Sequence, residues 1–95
     1  IVFDLTNPGA DPLALTLRVN DAAHDRRYDD RYNGSLVLPP AQRSVVAIPL
    51  NEIESGPRDR ALDLTSVADF MLFVSLADTP TALHRELFVS RIWLQ

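Results

Sequence analysis

Ninety-five residues without cysteine, carrying nine Arg, no Lys and thirteen acidic residues for a net charge of −4, fit one domain and leave no room for two. The 46% hydrophobic content supplies one modest core, with no disulfide to staple it and no thiol for chemistry. The acidic balance argues against nucleic acid as a partner, since phosphate contacts need clustered cations, and no apolar run reaches the ~18 residues of a membrane-spanning helix.

The chain opens without Met and without a signal peptide, already in strand-like alternation, so we expect a fragment of a longer protein, residues 1–95 forming a single β-sandwich domain. Ile1, Phe3 and Leu5 alternate with Val2, Asp4 and Thr6, and a turn-rich Asn7-Pro8-Gly9-Ala10-Asp11-Pro12 follows. The clearest strand comes next, with Leu13, Leu15, Leu17 and Val19 on one face and Ala14, Thr16, Arg18 and Asn20 on a wet one. Residues 21–33 are polar. Asn33-Gly34 is a strong hairpin-turn dipeptide, because both residues tolerate positive φ.

Residues 35–38 and 44–50 read as two more strands, split by Pro39-Pro40, with Val46, Ile48 and Leu50 on one face. Pro49 marks an edge or a strand end, since it cannot donate to a ladder. Residues 51–63 read as a loop with one helical turn near residues 52–54, and residues 65–69 as a further short turn. Residues 70–77 are apolar on both faces, which predicts a buried central strand. Residues 78–81 turn the chain, and residues 86–94 form the last strand, with Phe88, Ile92 and Leu94 on one parity. Short strands without a helical period give an all-β fold.

The candidate site is the polar stretch from Asp21 to Asn33. It gathers carboxylates, His24, arginines, Tyr28 and Tyr32, the inventory that sugar recognition uses: paired hydrogen bonds to hydroxyls and a ring under the apolar face of a pyranose. The same residues also suit a solvated loop whose Asp and Arg neutralise one another, and both readings stand. Trp93, of opposite parity to Ile92 and Leu94, suits either an outward stacking platform or packing under a covering segment.

Asp29-x-Arg31-x-Asn33-Gly34 fails as a calcium loop, because Arg31 stands where an oxygen ligand is required and Pro40 where the closing Glu belongs. We therefore expect no metal ligands and no cofactor, with structural calcium as the only cofactor the fold could use. Catalysis has little support: there is no Gly-x-Ser-x-Gly elbow, and His24 and His84 are the only imidazoles, so the chain is read as not an enzyme.

The order of motifs carries a resemblance. It runs through Asp4-Leu5-x-Asn7-Pro8, Leu13-x-Leu15-x-Leu17-Arg18-Val19-x-Asp21-x-x-His24, Tyr28-x-Asp30-Arg31-Tyr32-Asn33, Val46-x-Ile48-Pro49-Leu50-x-x-Ile53, Pro57-Arg58-x-Arg60-x-Leu62-Asp63-Leu64, Met71-Leu72-Phe73 and Leu87-Phe88-Val89-x-x-Ile92-x-Leu94. This resembles the carbohydrate-binding-module-like, galactose-binding-like jelly rolls, in particular those attached to bacterial VanZ-like membrane proteins. The resemblance implies an antiparallel jelly-roll sandwich, extracytoplasmic residence as part of a larger membrane or envelope protein, and membrane association only through that parent chain. It implies a non-catalytic module for glycan or cell-envelope polysaccharide, with Asp21, His24, Tyr28, Asp30, Arg31 and Asn33 as its recognisable polar core, joined by Trp93 from the residue reading. The alternative is a structural or interaction ectodomain that binds no free sugar, its polar core holding the sandwich together through Asp30 and Arg31.

Two departures stand out. Ser90-Arg91 replaces the Asp-Asp usual in the last strand, and strands usual before the position of Ile1 are missing. An open sheet edge would follow, inviting a homodimer.

Overall fold

The computed structural model describes residues 1–74 and 86–94. Six strands and one short helix follow in chain order: β1 (Val2–Asn7), β2 (Leu13–Asp21), β3 (Tyr32–Leu38), β4 (Gln42–Ala47), α1 (Leu50–Glu54), β5 (Val67–Phe73) and β6 (Phe88–Trp93). The fold is all-β. Its two three-stranded sheets are ordered β4-β1-β6 and β3-β2-β5, and every pairing is antiparallel.

Alternation decides the core. Phe3 and Leu5 of β1 meet Leu13, Leu15, Leu17 and Val19 of β2 in one buried cluster, closed at its ends by Leu38, Ile48, Ile53 and Leu62. The rings of Phe3 and Phe70 stack across the two sheets with centroids 5.8 Å apart. Asn7, fully buried, ties the first turn down. Its Nδ2 donates to the carbonyl of Asp11 at 2.8 Å and also reaches those of Pro39 and Leu38, while its Oδ1 accepts from the Gly9 amide.

Three expectations change. Asn33-Gly34 is not a turn: it lies inside β3, in register with Arg18 and Leu17. Gly34 serves close packing instead. A Cβ there would collide with the Tyr32 hydroxyl and approach the ring carbon that carries it to 2.7 Å. A Cβ on Gly56 would likewise come within 2.6 Å of the Tyr32 backbone. Gly34→Ala is therefore expected to destabilise the domain by about 2 kcal/mol through overpacking, read as a lower urea midpoint at unchanged slope.

Among the described residues, the strand expected over residues 70–77 is not central. β5 begins earlier, at Val67, taking in residues expected to turn, and it is the outer strand of its sheet, with Phe70 and Met71 more than a third exposed. Two apolar faces say that a strand is to be covered, not how many neighbours its sheet supplies. Residues 75–77 and the turn at 78–81 lie outside the described residues.

In β6 the single parity expected for Phe88 and Ile92 is broken. Asp4 pairs with Arg91 and Leu5 with Val89, so Ser90 is the extra residue of a bulge. The bulge places Val89 and Ile92 opposite the core residues Leu5 and Phe3, and turns Phe88 to the outer row beside Thr6. β4 also ends early, at Ala47: Pro49 caps α1, Ile48 is buried, and Leu50 belongs to the helix and is exposed.

Candidate functional site

The inward row of β2 does not stop at Val19. Two residues on, the last inward position holds Asp21, whose side chain is fully buried. A lone carboxylate there would be costly, and the structure supplies its countercharge from residue 60, in the loop between α1 and β5. Arg60 Nη1 and Nη2 donate to the two oxygens of Asp21 at 2.5 and 2.7 Å in a bidentate fork. Its Nε and Nη2 donate to Asp30 at 2.9 and 3.2 Å. The backbone amides of Asp63 and Asp25 complete the two carboxylates at 2.8 and 2.9 Å. His24 Nδ1 donates to the Asp30 carbonyl at 2.8 Å, folding the loop onto itself.

The electrostatics follow. The Arg60 hydrogen bonds hold Asp21 down at about 2 despite its burial, with help from the Asp63 amide. Asp30 is also lowered, first by Arg60 and then by the Asp25 amide. Arg60 is raised by both carboxylates.

The expected site residues thus fall into three places. Asp21 and Asp30 converge on Arg60, and His24 lies against Asp30. Tyr28, Arg31 and Asn33 form a second group nearer the surface. There Arg31 Nε donates to Asn33 Oδ1 at 3.0 Å, Asn33 Nδ2 donates to the Tyr28 carbonyl at 2.9 Å, and the Arg31 guanidinium lies over the exposed Tyr28 ring at 5.0 Å. Asp30 is locked by Arg60, so the expected Asp30–Arg31 pairing gives way to one between residues thirty apart. Trp93 stands on the other sheet, in register with Val2, and its ring carries the Arg91 guanidinium at 4.6 Å.

His24, Asp25 and Asp30 bring ligand-type atoms within 4.8 Å of one another. Each is already engaged: Asp30 by Arg60 and the Asp25 amide, Asp25 by the Arg27 amide and Nε, His24 by the Asp30 carbonyl. His84 lies outside the described residues.

Arg60 and Arg18 are the participants that the residue reading missed. An Asp on the apolar row of β2 signalled a buried cation, but nothing in the spacing selected Arg60 among nine arginines. Arg18 sits on the outer face of its sheet, in register with Asn33 and Met71, with its guanidinium 5.0 Å from the Phe73 ring centre. Its buried Nε has no hydrogen-bond partner among the described residues. Arg31 is lowered, mainly by desolvation and further by the Arg18 charge, so the two cations are neighbours. Comparison with protein-family models, with curated proteins and with solved structures finds no match for this chain.

Proposed function

We propose that this domain is a non-catalytic interaction module of jelly-roll type, serving as the structural ectodomain of a larger envelope protein. The observation that carries this reading is the saturation of Asp21 and Asp30 by Arg60: the most concentrated polar group is spent on joining the β2–β3 loop to the loop before β5. Carboxylates so engaged have little left for sugar hydroxyls. The envelope setting rests on the motif order alone.

The strand pairing supports the jelly-roll topology. An eight-stranded jelly roll is an antiparallel ribbon, rolled up so that its first four strands pair in reverse order with its last four. If the six strands are taken as the last six of such a roll, β1–β4 and β2–β3 are ribbon pairs. β1–β6 and β2–β5 are then the contacts between successive turns of the roll. This assignment leaves one strand position beside β5 and one beside β6.

A second reading, glycan recognition, has one observation in its favour. Arg18 and Arg31 are neighbouring cations with no carboxylate partner among the described residues, and the Tyr28 ring beside Arg31 is 70% exposed. Guanidinium and ring together suit an acidic sugar.

One titration separates the two readings. Neutral cell-wall oligosaccharides and galacturonic acid oligomers, followed by calorimetry, are expected to give no saturable signal. A saturable signal with the uronates, abolished by Arg31→Ala or Tyr28→Ala in a folded protein, would overturn the first reading and establish the second.

A further inference from the structure

We infer that the outer face of the β3-β2-β5 sheet takes an acidic segment of a partner protein, a side-chain carboxylate seating between the Arg18 and Arg31 guanidiniums. The inference rests on the reading of the domain as an interaction module and names the chemistry of its partner.

The placement of countercharges singles out these two arginines. Arg27, Arg43, Arg58 and Arg60 each form an ion pair with an aspartate of this chain. Arg18 and Arg31 have no carboxylate partner among the described residues, although they share one small area. Arg18 lies directly opposite Asn33 in the β2–β3 register, and Arg31 Nε donates to Asn33 Oδ1 at 3.0 Å. Burial and the nearby Arg18 charge together hold Arg31 below its ordinary value. Asp69 of β5, in register with Asn20, shares that sheet face and pairs with neither arginine.

The same row holds buried polar atoms with nothing to bond. Arg18 Nε has no hydrogen-bond partner among the described residues. Nor has the Oδ1 of Asn20, two residues along the outward row and only 7% exposed. Folded interiors leave few such atoms. One guanidinium taken partly out of water beside another, with no countercharge returned, destabilises the unbound domain. A carboxylate bridging the two would offset that loss. The site lies on β2, the central strand of its sheet, and on the chain leading into β3.

The supply of acceptors selects the occupant. A sugar ring brings hydroxyl donors that need acceptors, whereas a carboxylate brings acceptors alone. The acceptors nearby are taken: Asp21 and Asp30 by Arg60, Asn33 Oδ1 by Arg31, and the Tyr28 carbonyl by Asn33. Asn20 Oδ1 is a single acceptor, which one backbone N–H of an extended segment matches. The surface is rich in guanidinium donors, and an acidic peptide segment complements it in charge and in hydrogen bonding.

Two end-blocked peptides, octaglutamate and octaglutamine, test this by amide chemical shifts in the 95-residue chain at low salt. Octaglutamate is expected to saturate, with shifts centred on Arg18, Asn20, Arg31 and Asn33, and to weaken as salt is added. Octaglutamine is expected to leave those signals in place. Arg18→Met and Arg31→Gln are each expected to weaken binding about tenfold or more. Arg91→Gln, the same loss of charge on the other sheet, is expected to leave it intact. Arg18→Met keeps an apolar contact with Phe73 and removes an uncompensated charge, so its melting temperature is expected to match or exceed that of the unaltered protein. A clear fall in melting temperature would overturn the proposal, because the fold itself would then need the guanidinium. No saturation, saturation by octaglutamine, or indifference to both site variants would also overturn it, and would leave the interaction-module reading standing. Trigalacturonate binding at these residues as tightly as octaglutamate would overturn that reading as well.

Discussion

Arg60→Ala is expected to cost about 3 kcal/mol of folding stability, the scale seen when one partner is removed from a buried ion pair. The Asp21 side chain is fully buried, and without Arg60 its carboxylate keeps little beyond the Asp63 amide. Asp30 also loses its ion-pair partner, and the loop from residue 22 to residue 31 loses its anchor. Four charge-assisted hydrogen bonds vanish at once. In a domain of this size such a loss lowers the melting temperature by on the order of 15 °C. Urea unfolding measures it directly. Arg60→Lys keeps the charge but cannot reproduce a fork onto one carboxylate and two further bonds onto another, so it is expected to recover less than half of the loss. The Asp21→Ala/Arg60→Ala double variant should be more stable than the sum of the two singles predicts, because Arg60→Ala strands the buried Asp21 charge that the double removes, while Asp21→Ala leaves Arg60 paired with Asp30. A loss below about 1 kcal/mol in Arg60→Ala would show that solvent replaces the guanidinium freely and that the polar stretch is not a lock.

The same residues show what could be read from the sequence. Alternation along β1 and β2 is a local property, and the row of Leu13, Leu15, Leu17 and Val19 lies in the core with Phe3 and Leu5, although Val2, Asp4 and Asn20 on the alternate rows are buried as well. Pro49 correctly marked the end of an outer strand, since only one residue separates it from β4. What was not legible depends on partners. β5 is apolar on both faces, but whether such a strand is central or outermost is set by the other strands of its sheet. The Ser90 bulge reverses parity along β6 by one residue, and no composition marks it. Asn33-Gly34 has strong turn chemistry, yet its glycine is there because the Tyr32 ring fills the space of a Cβ. Within the polar stretch Asp21 and Asp30 share one partner, Arg60, thirty-nine residues from the first and thirty from the second, a separation that spacing arguments do not cross.

Acid should undo the lock in a defined window. Asp21 sits at about 2 in the folded protein against an ordinary 3.8. Asp30 is displaced in the same direction by the same guanidinium. A carboxyl whose folded value is depressed takes up protons first in the unfolded chain, so its contribution to stability is complete above the unfolded value and disappears as pH falls through the folded one. The unfolding free energy is accordingly expected to hold level down to about pH 5 and then decline by roughly 2 kcal/mol from Asp21 alone on the way to about pH 2. Urea midpoints across that range give the slope. The slope belongs to Arg60 rather than to the net charge of the chain, which one substitution changes little. Arg60→Ala should therefore flatten it, because the buried Asp21 then keeps its desolvation without the bonds that oppose it. If the decline persisted unchanged in Arg60→Ala, the acid sensitivity would have to come from another pair, such as buried Asp4 with Arg43, and the Asp21–Arg60–Asp30 network would not set the acid limit of the fold.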